Sequence, residues 1–463
     1  MKLRAALVWL VLFAVYAATL GLDSFGDSDY GGDEPHYLLT AHSLVEDGDA
    51  DLVDEYRDRE YEDFYPVPLD PHGALTGGAL HEPHGVGFPL LIAPAYAVGG
   101  AHGAELFLAA IAALAGALAY LLAIRAVPDP WALGAALAVG LSPPMLAYGS
   151  AVYPELTAGA VLAAAALLAL RLHERVRRVD ALACFALLGV LPWLGTKYVL
   201  AGIVIGALAA RVLLRRGRGM LALAAAEVAG FSVAVYVSVN DPLYGGITPY
   251  AADVPGETPT DADFPLGYLE RSYRLVALFI DRDYGLLRWA PVLALAFLGL
   301  WQVYRTRREG LGRILPEHRR AEAAAGLCAL AAGAQLLVAA FLAPTMFGFW
   351  FPGRHVVAAL PLAVPLVAWG LRHAPRTGTA LAALGVAASV WLYVDVRTGG
   401  GGLAAGVPDA PWGPLEAAFP LFDGSAVPNA VAGAVGAALL ALLLLDARHW
   451  RQIAGATRTR YSG

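Results

Sequence analysis

Apolar residues fall into continuous blocks of roughly 17–24 residues, the length a helix needs to cross a hydrocarbon core about 30 Å thick. The blocks are rich in Ala, Leu and Val and show no two-residue alternation, so helices rather than barrel strands are predicted. The predicted spans are 3–22, 103–124, 131–148, 153–170, 180–195, 198–214, 221–239, 287–304, 323–343, 355–371, 378–396 and 427–446. The stretch 87–98 is apolar but short and broken by proline, which reads as an interfacial or re-entrant helix. The expected fold is an all-α polytopic membrane protein with about 12 transmembrane helices (11–13) and no internal repeat.

Composition agrees with this pattern. Of the 463 residues 58% are hydrophobic and only 15% charged, against about 25% charged in an ordinary soluble domain. Mean hydropathy is +0.57. Cys184 and Cys328 both lie inside apolar blocks, which speaks for buried thiols rather than a disulfide scaffold. A net charge of −7 argues against a nucleic-acid partner.

Charge sets the expected orientation. Cytoplasmic loops carry excess Lys and Arg. With the N-terminus inside, 23 of the 32 basic residues fall on cytoplasmic segments and both termini are cytoplasmic. A cleaved secretory signal ending near Ala17-Ala18 is the competing reading of the first block, but its apolar stretch is longer than a usual signal core. The long segments then lie outside: a first loop with its juxtamembrane helices over 23–102, a second over 240–286 and a third over 397–426. The polar part of the first, 23–86, holds 17 Asp and Glu. Its acidic run 46–63 reads as a solvated face, with calcium binding as the sharper alternative.

Chemistry is therefore sought on the extracytoplasmic side. Asp33 fits a helix N-cap, Pro35 the first turn, the apolar residues that follow have helical spacing, and Gly48 fits the stop. Asp33 and Glu34 thus sit at a helix start just beyond the first span. The positive end of the helix dipole keeps a carboxylate ionised there, able to accept a proton from a hydroxyl. The plainer alternative is a simple cap beside a solvated surface charge.

Several segments resemble one known family. Glycine-flanked Asp33-Glu34 followed by Pro35-His36-Tyr37 resembles the Asp-Glu motif of GT-C glycosyltransferases. The nearest likeness is to the branch related to dolichyl-phosphate-mannose protein mannosyltransferases and lipid A aminoarabinose transferases. His81-Glu82-Pro83-His84 running into Phe88-Pro89 is similar to the family's Lys-Pro-Pro-Leu segment. The turn from Tyr148 to Glu155, the run from Asp281 to Pro291, and Trp350-Phe351-Pro352-Gly353-Arg354-His355 before Pro361 follow in the family's order. His84 stands in place of the usual first Pro, the preceding Lys is missing, and His355 replaces a common Tyr. These departures touch acceptor and donor identity rather than the class.

The resemblance implies an inverting glycosyltransferase that moves a sugar from a polyprenyl-phosphate carrier, such as dolichyl phosphate mannose, to an acceptor hydroxyl on a glycan, protein or lipid. It makes Asp33 the general base, with Glu34 orienting the acceptor or sharing the role. Arg354, Arg288 and Lys197 are the candidates for holding the departing phosphate, Arg because its planar fork suits phosphate oxygens. The plainer reading of each is an interfacial anchor. His36, Tyr37, His84 and Glu155 are candidates for the acceptor or sugar. No cofactor is certain. A divalent metal is the one candidate, with His81, Glu82 and His84 as its ligands alongside Asp33 or Glu155. Trp350, Trp412 and Tyr250 read as aromatic-belt residues. Only about 17 residues follow the last span, which disfavours the oligosaccharyltransferases with their large soluble domain.

A transporter or flippase of lipid-linked or small polar substrates is the main rival, ahead of a non-enzymatic assembly or sensor protein. Transporters carry ionisable residues near the bilayer centre and broken helices in related halves. Here the central thirds of the spans are nearly uncharged, with Gln335 a rare polar exception and Glu227 toward a cytoplasmic end.

Overall fold

The computed structural model describes residues 2–24, 28–251, 266–403, 418–422 and parts of 434–449. Its helices are α1 (Lys2–Ala17), α2 (Glu34–Glu46), α3 (Val53–Asp58), α4 (Gly87–Ala126), α5 (Trp131–Gly140), α6 (Pro143–Ser150), α7 (Glu155–Glu174), α8 (Arg178–Leu194), α9 (Val199–Arg215) and α10 (Gly219–Tyr244). They continue with α11 (Leu266–Glu270), α12 (Arg274–Ile280), α13 (Leu286–Trp289), α14 (Ala294–Arg308), α15 (Leu311–Ile314), α16 (Pro316–Phe341), α17 (Arg354–Val357), α18 (Leu360–His373) and α19 (Pro375–Arg397). One hairpin, β1 (Ala74–Thr76) with β2 (Ala79–His81), stands before α4.

Each of the first eleven apolar blocks holds a helix, and the block 427–446 is only partly described. Six described helices are long and apolar enough to cross a membrane, or seven if the bent pair α5–α6 is one span. Four of the other predicted spans hold shorter helices, with 16 residues in α1, 17 in α8, 15 in α14 and 14 in α18. Pro143 divides α5 from α6 at a bend of 61°. The segment 87–98 is a helix of its own, set off from the rest of α4 by non-helical Gly99 and Gly100.

Small residues set the packing. The α4 helix lies against α1, α7 and α18, and α18 in turn against α14. On α14 a Cβ at Gly299 would lie 2.0 Å from the Leu366 carbonyl oxygen, and one at Gly370 of α18 would lie 2.2 Å from that of Leu295. Only glycine lets these two backbones approach so closely, as in small-residue contacts between membrane helices.

The first long loop is folded over one end of this bundle. The Gly77-Gly78 turn, with φ of +65° and +98°, closes the hairpin. Leu52 donates to Leu80 O at 2.9 Å, tying the α3 entrance to β2. The α2 helix starts at Glu34 with Asp33 as N-cap and Pro35 in its first turn, and Gly48 N donates back to Ser43 O at 3.0 Å. The Asp33 carboxylate makes no capping bond and is left for other partners. The acidic run 46–63 is not wholly a solvated face: Glu55 is buried, while Asp58 and Glu62 are exposed. Residues 252–265 of the loop 240–286, and 404–417 and 423–426 of the loop 397–426, Trp412 included, lie outside the described residues.

Candidate active site at the head of the bundle

Asp33 and Glu34 are adjacent in sequence, but consecutive helical residues point about 100° apart, and the fold sends the two carboxylates to different places. Glu34 turns inward. Its Oε2 accepts from Gly31 N at 2.9 Å and Ser24 Oγ at 3.3 Å, and its Oε1 accepts from Val152 N at 2.7 Å. It thereby fastens the start of α2 to the turn before α7. It lines a small pocket with Glu105 and Asp29, away from Asp33.

Asp33 faces a cavity of about 660 Å³. Its Oδ2 accepts from Arg354 Nη2 and lies 3.4 Å from His84 Nε2. Arg354 Nε donates to Glu155 Oε1 at 3.1 Å, and Lys197 Nζ donates to the same oxygen at 2.7 Å. The charges therefore alternate Asp33, Arg354, Glu155, Lys197 along one end of the cavity. The Arg354 guanidinium also lies over the Tyr153 ring at 4.3 Å and the Trp350 ring at 4.7 Å. Glu155 Oε2 is fully buried and has no hydrogen-bond partner among the described residues.

Each of these side chains is delivered by a sequence feature. Glu155 opens α7 after Pro154, and Lys197 sits in the break between α8 and α9 that follows Gly195. Arg354 opens α17 after Gly353, whose φ is +94°. Gly32 has a φ of +58°, and a Cβ there would lie 2.6 Å from Tyr153 Oη and 2.8 Å from Phe349 O. Glycine is thus required beside Asp33 both for conformation and for space.

The opposite wall is apolar. Leu194 at the end of α8, Val199, Leu200 and Ile203 at the head of α9, and Val338, Ala339 and Leu342 at the end of α16 supply it. Leu200, Ile203 and Leu342 are exposed, so this wall is open at the bundle surface between the two helices. Arg271 and Arg274 donate to Ala343 O at 3.2 and 2.7 Å, satisfying carbonyls just past the end of α16.

Electrostatics separates the two acids. Burial alone would raise the Asp33 pKa, but the guanidinium of Arg354 and the imidazole of His84 hold it well below the usual carboxylate range. Burial opposes charge on His84 too, yet Asp33 raises its pKa above the ordinary 6.5. Glu34 goes the other way: burial pushes it up to about 8, against the lowering effect of the Gly31 and Val152 amides. A raised pKa stabilises the fold fully below the ordinary 4.5, and that contribution is lost as pH rises through about 8. The thermal midpoint of the detergent-solubilised protein should therefore fall over this window more steeply in wild type than in Glu34→Gln, which has no proton to release. Parallel curves would assign the fall to other groups.

Tyr37, His84, Lys197, Arg354 and Asp33 all line the cavity, as do Trp350 and Tyr250, and Glu155 lies directly behind Lys197 and Arg354. Arg288 does not line it. That side chain donates to Arg282 O at 2.6 Å and lies over the Trp289 ring at 4.9 Å. His36 turns toward Tyr56 and Glu82, with Nδ1 2.8 Å and 3.1 Å from their oxygens. Of the metal candidates, His81 is directed at Ala50 O, 2.7 Å away, and packs against Tyr244. Glu82 and His84 approach each other, with Oε2 and Nδ1 3.9 Å apart. Two residues that sequence reasoning passed over belong to this region: Tyr153, which bridges Gly31 O and Asp33 N, and His72, stacked 4.2 Å from the His36 ring.

No protein-family model matches the chain, and no curated protein matches its sequence. Among solved structures, apo ArnT from Cupriavidus metallidurans is 16% identical at a TM-score of 0.50, covering 96% of this chain and 77% of that one. The apo oligosaccharyltransferase of Archaeoglobus fulgidus is 14% identical at a TM-score of 0.45, covering 88% of this chain and 57% of that one. Over nearly its whole length, the chain has the fold seen in ArnT.

Proposed function

We propose that this chain is a membrane glycosyltransferase that moves a sugar from a polyprenyl-phosphate carrier to an acceptor hydroxyl at the extracytoplasmic surface, with inversion. The observation that carries the reading is one cavity with two unlike halves. An ionic end holds Asp33, Arg354 and Lys197, and an apolar wall opens between α9 and α16. A prenyl chain suits the wall, and its phosphate suits the cations. ArnT itself has been crystallised with undecaprenyl phosphate bound.

The step balances on these groups. The Asp33 carboxylate takes the proton of the acceptor hydroxyl, and the acceptor oxygen forms the new bond to the anomeric carbon. The bond from that carbon to the phosphate oxygen breaks, and its electron pair leaves on the polyprenyl phosphate. Arg354 and Lys197 stabilise that charge as it develops, the role fixed cationic donors play at transferring phosphoryl groups. Tyr37 and His84, beside Asp33, contact the sugar or acceptor, with Glu155 holding the two cations from behind. Glu34 acts as the positioning residue that fixes the start of α2.

The test is transfer of labelled sugar from polyprenyl-phosphate carriers in membranes containing the protein, against membranes without it. Protein-dependent loss of label from the lipid, with its appearance on an acceptor, is the expected result. Uptake of sugar into sealed vesicles with the carrier untouched would instead make this chain a transporter.

A further inference from the structure

Behind the cavity, the first long loop gathers a second group of side chains that the transfer reading does not use. His36 from α2, His72 from the loop before β1, and Glu82 just after β2 each offer one ligand atom, and the three atoms lie within 4.8 Å of one another. His36 and Glu82 are buried, while His72 is exposed. Ligand atoms around a tetrahedral zinc ion with bonds of about 2.0–2.1 Å stand roughly 3.4 Å apart, so closing on an ion takes movement of about 1 Å. The exposed loop that carries His72 is the part free to make it.

A second observation is independent of this spacing. Glu82 is 5% exposed, yet its Oε2 has no hydrogen-bond partner among the described residues. Its Oε1 already accepts from Tyr56 Oη and faces His36 Nδ1 at 3.1 Å. A buried carboxylate oxygen left unmatched is costly, and a cation held by Glu82 offsets that cost. Two imidazoles with one carboxylate suit a borderline transition metal such as zinc. Calcium and magnesium prefer all-oxygen sets.

We infer that His36, His72 and Glu82 bind one zinc ion, with a water on the solvent side as fourth ligand, and that the ion clasps α2, the loop before β1 and the end of β2 together. Tyr56 then serves as the hydrogen-bonded support of the Glu82 carboxylate. Because Pro83 and His84 follow Glu82 directly, the clasp also fixes the segment that brings His84 to Asp33.

The proposal is read by metal content rather than transfer. The full-length, tag-free protein is purified in detergent from zinc-supplemented cells, washed free of loose metal, and analysed by mass spectrometry for bound zinc. Wild type should hold about one zinc per chain, and should show tetrahedral Co²⁺ absorption when reloaded with cobalt. Replacing the exposed ligand, His72→Ala, should lower occupancy by about tenfold or more. His102→Ala, on an exposed histidine outside the cluster, should keep it. A metal-free wild type, or full occupancy in His72→Ala, would overturn the site. So would loss of metal in His84→Ala alone, since that places the ion between Glu82 and His84.

Discussion

Replacing Asp33 with Asn should lower sugar transfer by roughly 10²–10⁴-fold, the range expected when a general base is lost. Asn keeps the size and shape of Asp and can still accept from Arg354 through its carbonyl oxygen, so the cavity keeps its outline. It loses the charge that, in the proposed transfer, takes the acceptor proton. Arg354 keeps a buried carboxylate partner in Glu155, which limits the structural damage. The decisive comparison is initial rate with a labelled polyprenyl-phosphate sugar, beside the thermal midpoint and the donor affinity of the same preparation. A large fall in rate with near-normal affinity and stability is the expected pattern. Full activity in Asp33→Asn removes Asp33 from the base role, whatever else the fold does.

The parts of the site that could be read from sequence were those encoded locally. The cap-proline-apolar pattern located the start of α2, and the Gly-Arg segment placed Arg354 at a helix entrance. What could not be read were pairings across the chain. Asp33 meets a guanidinium 321 residues away, and Glu34 accepts from an amide 118 residues away. No local rule separates two adjacent carboxylates into one facing a cavity and one latched inside the fold. That division follows from where α7 docks. Glu55 was hidden in the same way: its acidic neighbours suggest a solvated face, yet the fold buries it. His72 stands in a proline-rich stretch with no periodicity, so nothing nearby marks it as a partner of His36. The apolar blocks located the helices but not how many cross, because an apolar run does not register where its helix ends: α1, α8, α14 and α18 have only 16, 17, 15 and 14 residues, and Pro143 bends the α5–α6 pair.

Arg354→Lys should lower transfer by roughly 10²–10³-fold, comparable to removing one fixed charge-stabilising donor from an active site. Lysine keeps the positive charge, so the test isolates geometry. In this site a single guanidinium reaches Glu155 with Nε and Asp33 with Nη2, while its face lies on Tyr153 and Trp350. An ammonium is a point charge with no planar fork and cannot make these contacts together. A coupled pH effect follows. Arg354 is a main reason that Asp33 sits well below the usual carboxylate range, where it is ionised but only weakly basic. A donor phosphate that draws the guanidinium toward itself would relieve that pairing and strengthen the base just as the acceptor needs it. Loosening the pair by mutation raises the Asp33 pKa in the free enzyme, so the acidic limb of the pH–rate profile in Arg354→Lys should move toward neutral pH. Arg354→Ala should be worse on stability as well, by about 3–5 kcal/mol, because it leaves the buried Glu155 with Lys197 and the half-buried Asp33 with the His84 imidazole. A lysine variant with wild-type rate and an unmoved acidic limb would show that Arg354 holds the fold together without taking part in the transfer.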